Sequence, residues 1–279
     1  MDGIFGWLGD HGAHQDLIRH MGRAGCLSPE GLLQEHSSQM LGVAAFSRFG
    51  KAGLHVENGL AAAVHGRPRF LDEELAFIAR DRSPAVAVAR GWLRFGDRLP
   101  TLMHGNFALV VLEPLRKNAF MALDRAGAER LCYANHGGQL VFGSSAQSVA
   151  AHPAVGRNID PQAIYDYLYF HTIPAPRSLY RGVHKLLPGQ YASLKNGQVR
   201  TGFYWQADYT PDHADFDTHR RHFRSVLDQA VRAADAPATA AFLSGGTDSS
   251  TVVGALTASR GAPVDTFSIG FDAAGFDEM

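Results

Sequence analysis

Between residues 242 and 250 the chain reads Phe242-Leu243-Ser244-Gly245-Gly246-Thr247-Asp248-Ser249-Ser250. This stretch gathers the groups that hold a phosphate. Two adjacent glycines let the backbone approach an anion without Cβ interference and accept positive φ. The residues that follow open a helix, so unpaired N–H groups and the positive end of the helix dipole face one spot. Ser244, Ser249 and Ser250 add hydroxyl donors. Asp248 adds a carboxylate, which repels bare phosphate and makes sense chiefly beside Mg²⁺. No Gly-Lys-Ser/Thr follows, so this is not a Walker loop. The structural alternative is a Gly-Gly turn with an Asp/Ser helix cap; a strand before and a helix after, both in register with the loop, weigh against it.

The elements around the loop place it. Residues 238–243 form a continuous small-apolar run, the pattern of a strand buried on both faces. Residues 249–259 follow as a helix with Val252, Val253 and Leu256 turned inward. After a turn at Gly261 and Pro263, Phe267, Ile269 and Phe271 alternate as a second strand. Strand, helix and strand in about thirty residues make a βαβ unit with parallel strands. The loop then lies at the carboxyl end of the first strand, where open α/β sheets bind ligands. An amphipathic helix with Phe223, Val226, Leu227, Ala230 and Val231 on one face precedes the unit. Two parallel strands do not complete a sheet, so this domain is expected to be cut short at Met279.

The chain upstream has another character. Apolar segments at residues 107–112, 119–123, 131–134 and 140–143 follow one another across turn-forming stretches, which predicts an antiparallel meander. Helical spacing marks residues 71–79 and 85–95. Asp160-Pro161 is a helix start, and Ile164, Tyr167 and Leu168 would form its inward face. The expected organisation is a first domain over 1–205, a polar linker over 206–217 containing Pro211, and a second domain from 218 to 279. A net charge of −1 gives no basic field for nucleic acid. No apolar run approaches the ~18 residues that cross a bilayer. The start at Met1-Asp2-Gly3-Ile4 lacks the basic and apolar stretches of a signal peptide, so a cytoplasmic location is expected.

The loop is similar to Ser-Gly-Gly-x-Asp-Ser-Ser, the PP-loop of ATP pyrophosphatases. Together with Gly3-Ile4-Phe5-Gly6 at the start, it makes nearly the whole chain resemble the asparagine synthetase family. Gly105-Asn106-Phe107-Ala108 resembles the family's Gly-x-Phe-Ala strand, and Asp124-Arg125-Ala126-Gly127 its Arg-Asp-x-x-Gly turn. Residues 173–183 and 185–190, ending at Tyr204-Trp205, resemble its domain-joining segment. The resemblance implies an α+β N-terminal nucleophile domain, an αββα sandwich, followed by a truncated α/β PP-loop ATP pyrophosphatase domain.

It also implies a ligase that forms C–N bonds: ATP adenylates a carboxylate, and AMP and pyrophosphate leave. ATP and Mg²⁺ are the implied cofactors. Asp248 would hold the metal, and the loop with Ser244, Gly245, Gly246, Ser249 and Ser250 would hold β and γ phosphates. Leu243, Ser268 and Ile269 would flank the nucleoside. The implied partner is a small-molecule or peptide carboxylate, with no nucleic acid and no membrane; a homodimer is left open.

The glutaminase half departs from the family. Asp2 stands at the nucleophile position, where the family has cysteine, and a carboxylate is a poor acyl acceptor. The family's Asn-Gly-Glu, with its oxyanion donor, aligns with His65-Gly66-Arg67, and the Asp that holds the substrate amine aligns with His104. No Arg-Gly-Pro-Asp segment occurs. Lost glutaminase activity is expected. The pattern resembles β-lactam synthetases and lasso-peptide cyclases, in which an amine already in the substrate attacks the adenylate. The competing reading is a catalytically dead scaffold or truncated family member; a tRNA-modifying PP-loop enzyme is disfavoured by the neutral charge. The 279 residues alone are not expected to ligate.

Lesser candidates read as structural. Cys26 and Cys132 fit buried thiols better than displaced nucleophiles. His213, His219 and His222 fit a solvated helix face better than a metal site. Asp272, Asp277 and Glu278 fit loop charges, and Tyr165, Tyr167, Tyr169 and Phe170 fit core and domain interface.

Overall fold

The computed structural model describes residues 2–10, 15–25, 30–236 and 238–270. The chain divides into two units, residues 1–207 and 208–279. In the first, β1 (Gly3–Leu8), α1 (Gln15–Ala24), β2 (Leu32–Ser38), β3 (Leu41–Ser47), β4 (Ala52–Glu57) and β5 (Leu60–Phe70) lead into α2 (Glu73–Asp81) and α3 (Pro84–Phe95). Then come β6 (Met103–Glu113), β7 (Asn118–Leu123), β8 (Cys132–His136), β9 (Gln139–Gly143), α4 (Ala146–Ala150) and α5 (Pro161–Phe170). Strands β10 (His184–Lys185), β11 (Gln190–Lys195) and β12 (Gln198–Phe203) close the unit.

Two six-stranded sheets result, ordered β10-β8-β9-β1-β3-β2 and β12-β11-β7-β6-β5-β4. Ile4, Val43, Ala63, Val110, Met121 and Phe142 fill the space between them. On the outer face of the second sheet, Phe107, Leu109 and Val111 meet Leu75 and Val88 of α2 and α3. On the outer face of the first, Phe5 and Trp7 meet Ile18, Met21 and Val149 of α1 and α4. The unit is an αββα sandwich. Its inner strands are covered on both sides, which is why residues 107–112 read as one unbroken apolar run. Gly42 is required where a Cβ would lie 2.2 Å from the Trp7 ring.

Helix starts follow side-chain caps. Asp72 accepts from Leu75 N at 3.0 Å and Ser83 from Val86 N at 3.3 Å, so α2 begins two residues later than the apolar spacing alone suggests. Asp160 caps α5 as expected, with Pro161 at its first position. Its inward face differs. Ala163 is the buried residue, while Ile164, Tyr167 and Leu168 are 43, 56 and 71% exposed. Tyr165, Tyr169 and Phe170 are exposed as well, so the aromatic group is not core. It packs on itself, with Tyr169 edge-on to Phe170 at 4.8 Å.

The expected single meander is two hairpins in different sheets. β6 pairs with β7 in one and β8 with β9 in the other. Between them residues 124–131 cross from sheet to sheet, and Asp124 organises the crossing. Its carboxylate is 1% exposed and accepts from the N–H groups of Ala126 (3.0 Å), Ala128 (3.1 Å), Glu129 (3.0 Å) and Phe107 (3.4 Å). Its own N–H donates to Phe107 O at 2.8 Å.

In the second unit, α6 (Phe216–Ala234), β13 (Ala241–Phe242), α7 (Thr247–Arg260) and β14 (Thr266–Phe267) form the expected parallel βαβ unit, with Ala241 opposite Thr266. The strands are shorter than their apolar runs, and Phe242, Phe267 and Ile269 are exposed. Val231 of α6 and Leu256 of α7 are buried; Phe223, Val226 and Val252 of the expected inward faces are exposed. Asp215 caps α6, so the helix begins at Phe216. Arg260 ties the end of α7 to the Asp235 carboxylate and to Ala236 O.

The crossing yields a prediction. Asp124→Ala leaves four backbone donors without their acceptor and should cost about 3 kcal/mol, a fall in Tm of roughly 6–12 °C, read by calorimetry of the full chain. A fall under about 2 °C would mean that the loop repairs itself.

Candidate functional site

The loop expected to hold phosphate joins β13 to α7. Gly245 adopts φ +75°, and Gly246 takes the cap position of α7 with no side-chain cap. The first-turn N–H groups of that helix are therefore uncapped at the end carrying the positive dipole charge. Ser249 is used inside the loop: its hydroxyl donates to Gly246 O at 3.1 Å and accepts from Ser244 N at 3.2 Å. Ser244 Oγ lies 3.2 Å from Ser249 Oγ. Asp248 sits exposed in the first turn of α7, and Ser250 continues the same turn.

The second strand reaches the same place. Leu243 N donates to Phe267 O at 2.9 Å, and Ser268 Oγ donates to Leu243 O at 2.6 Å. Loop residues 243–250 and Ser268 thus form one cluster, with Ile269 exposed just beyond β14. Expected nucleotide residues and expected adenine-flanking residues converge.

The second cluster surrounds the start of the chain. Asp2 is 8% exposed, and its carboxylate closes the turn after β3. It accepts from Ser47 Oγ at 3.0 Å, Arg48 N at 2.8 Å and Phe49 N at 3.2 Å. Burial pushes its pKa up, but these hydrogen bonds outweigh it and hold the group below the ordinary carboxylate range. β1 is fixed from the other side, because Ile4 N donates to Ser144 Oγ at 3.0 Å and Ile4 O accepts from Ser144 N at 2.8 Å.

His65 joins this cluster. Its Nδ1 lies 3.0 Å from Glu129 Oε2, an ion-pair distance without the alignment of a hydrogen bond. Burial holds the imidazole below its ordinary pKa, against the pull of the Glu129 and Asp2 charges. The neighbouring Gly66 has φ +105°, and a Cβ there would come within 2.3 Å of Asn106 O. Ser47 and Glu129 were not visible from local spacing. They lie 45 and 64 residues from the groups they meet, and neither belongs to a short motif.

Other candidates stand apart. Cys132 is buried in β8, where burial pushes its thiol up to about 11. His219 and His222 lie on α6, and among the described residues no group of three or more His, Cys, Asp or Glu is arranged for a metal. Cys26, Asp272, Asp277 and Glu278 lie outside the described residues. No helix among the described residues is long and apolar enough to cross a membrane.

The two titratable groups give a pH prediction with one sign. Both have folded pKa values below their unfolded ones, so their stability contributions are present at higher pH and lost on acidification. His65 contributes above about 6.5 and loses its share as pH falls toward its folded value; Asp2 loses its share below about 4. Urea midpoints measured from pH 8 to 5 should fall less steeply for His65→Gln than for the parent, and parallel slopes would remove His65 as a cause.

Comparison with known proteins bears on both units. Residues 70–205 match the glutamine amidotransferase domain family, and residues 222–279 match the asparagine synthase family. The first match begins beyond Asp2 and His65. Asparagine synthetase [glutamine-hydrolyzing] 3 of Bacillus subtilis is 26% identical over 61% of this chain and 29% of its own length. Putative asparagine synthetase [glutamine-hydrolyzing] 2 of Methanocaldococcus jannaschii is 31% identical over 61% of this chain and 34% of its own length. The chain thus spans about a third of the length of these curated relatives. The solved glutamine phosphoribosylpyrophosphate amidotransferase of B. subtilis aligns over 98% of this chain and 67% of its own, with 13% identity and a TM-score of 0.46. With an amidotransferase domain and an asparagine synthase domain matched in succession, the chain belongs to the asparagine synthetase family.

Proposed function

We propose that the chain carries the nucleotide site of an ATP-dependent, C–N bond-forming ligase that adenylates a carboxylate, and that its first unit does not hydrolyse glutamine. The observation that carries the nucleotide reading is the uncapped N-terminus of α7, reached through Gly245 at positive φ and lying beside Ser268. The loop suits a triphosphate with Mg²⁺. Its first-turn N–H groups and Ser244 would bind β and γ phosphates, and the exposed Asp248 would hold the metal, which neutralises charge on the pyrophosphate. Leu243, Ser268 and Ile269 would flank the nucleoside. Ser249 acts indirectly, by fixing Ser244 and Gly246 through its two hydrogen bonds. Donors already in place act as negative charge builds on the leaving group, without reorganising at that moment.

The second half rests on Asp2. Its carboxylate is engaged by three donors of the 47–49 turn, and it is not an acyl acceptor suited to amide hydrolysis. A ligase without a working glutaminase needs an amine from elsewhere. That favours a substrate that carries its own amine, as in an intramolecular amide closure, over one that consumes ammonia from glutamine.

Purified protein incubated with glutamine should release no ammonia above a boiled control; sustained turnover would overturn this half. Intact mass should show Met1 retained before Asp2. Asp248→Ala should weaken Mg-ATP binding by more than about tenfold in calorimetry. Equal binding by parent and variant would reduce Asp248 to a first-turn residue with no metal role.

A further inference from the structure

Helix α5 turns an apolar face to solvent. Ile164, Tyr165, Leu168 and Tyr169 recur at i, i+1, i+4 and i+5, so they share one side of the helix. All four are exposed, Tyr165 at 63% and Tyr169 at 69%, and Tyr167 and Phe170 are exposed on the flanks. The rings are already ordered. Tyr165 and Tyr169 lie nearly parallel with centroids 6.4 Å apart, and Phe170 meets Tyr169 edge-on. Side chains that pack on one another have less freedom left to lose on binding. The charges of the helix are kept off this face. Asp166 is the one charged residue within α5, and it shares the Arg177 guanidinium with the cap Asp160. Nε lies 3.1 Å from Asp166 Oδ2, and Nη1 lies 2.7 Å from Asp160 Oδ2. Gln162 Nε2 donates to the other Asp166 oxygen at 2.7 Å.

A neutral face rich in tyrosine has the composition of an interface core. Three of its rings carry hydroxyls, which a hydrocarbon layer would leave unpaired and a protein surface can satisfy. A second copy of the chain fits it. Two such faces meet with no like charges between them. A two-fold axis runs the helices antiparallel, so the positive end of each dipole lies beside the negative end of the other. With aromatic side chains of roughly 150–250 Å² each, the six exposed side chains offer roughly 600 Å² per copy. Two copies would then bury about 1,200 Å², the lower bound of a specific interface. We propose that the chain forms a two-fold homodimer through the outward face of α5, with the axis passing between Tyr165 and Leu168. The pairing does not depend on the ligase reading.

Sedimentation equilibrium of the full chain tests this, because a protomer of 30.2 kDa that pairs doubles in mass. An interface at the small end of the range should be half associated near about 10 µM. Leu168→Asp sets two carboxylates across the axis and should raise the dissociation constant at least about tenfold. Its thermal melt should match that of the parent, since Leu168 is 71% exposed. Leu168→Lys alone should weaken pairing likewise, and an equimolar mixture of the two variants should regain the dimer. Only a face that meets itself gives that rescue. Leu115→Asp, on the exposed β6–β7 turn, should leave association unchanged. A parent that stays monomeric to about 100 µM would overturn the proposal and leave the face to a different protein. Association that survives Leu168→Asp, or a mixture that does not recover, would overturn it as well.

Discussion

The carboxylate of Asp124 is the constraint on which the first unit depends. An αββα sandwich requires the chain to leave one sheet and enter the other, and the amides at the crossing belong to neither ladder. The buried group there is the Asp124 carboxylate, which would be costly without donors. One side chain satisfies three of the crossing amides and also clamps β6 through the N–H of Phe107. Tyr204 adds a lid, its hydroxyl donating to Leu123 O at 2.7 Å, and burial raises the phenol's pKa. With the crossing fixed, β8 and β9 can lie beside β1, and Ser144 at the end of β9 holds Ile4. The position of Asp2 is therefore set by an interaction made more than a hundred residues downstream.

What could be read from the sequence follows the range of the forces involved. The Gly-Gly loop between β13 and α7, the cap at Asp160 and the doubly covered strand at 107–112 depend on residues within one turn or one strand. All of these were legible. The meander was misread because a β-hairpin carries the same local signature whichever sheet it joins. The tie between Asp2 and residues 47–49 spans 45 positions and leaves no mark on spacing. Apolar periodicity also overstates burial where partners are few. Phe242 and Phe267 sit in strands with only two paired positions each.

Helix α5 shows the same limit from the other side. Its start is written by Asp160 and Pro161, yet its apolar residues are distributed around the whole cylinder rather than along one stripe. Such a helix gives no unique inward face to read. Only Ala163 was small enough to allow close approach, and the aromatic rings turned outward onto one another.

The network at Asp2 makes its substitution directional. Sulfur is a weak hydrogen-bond acceptor, so a cysteine placed at position 2 would leave the amides of Arg48 and Phe49 and the Ser47 hydroxyl poorly matched. Such a change would loosen the turn that now fixes the start of β1. Compensation would have to come from several positions at once, among them the paired His65 and Glu129. A cysteine variant at this position is therefore expected to start from a weakened turn.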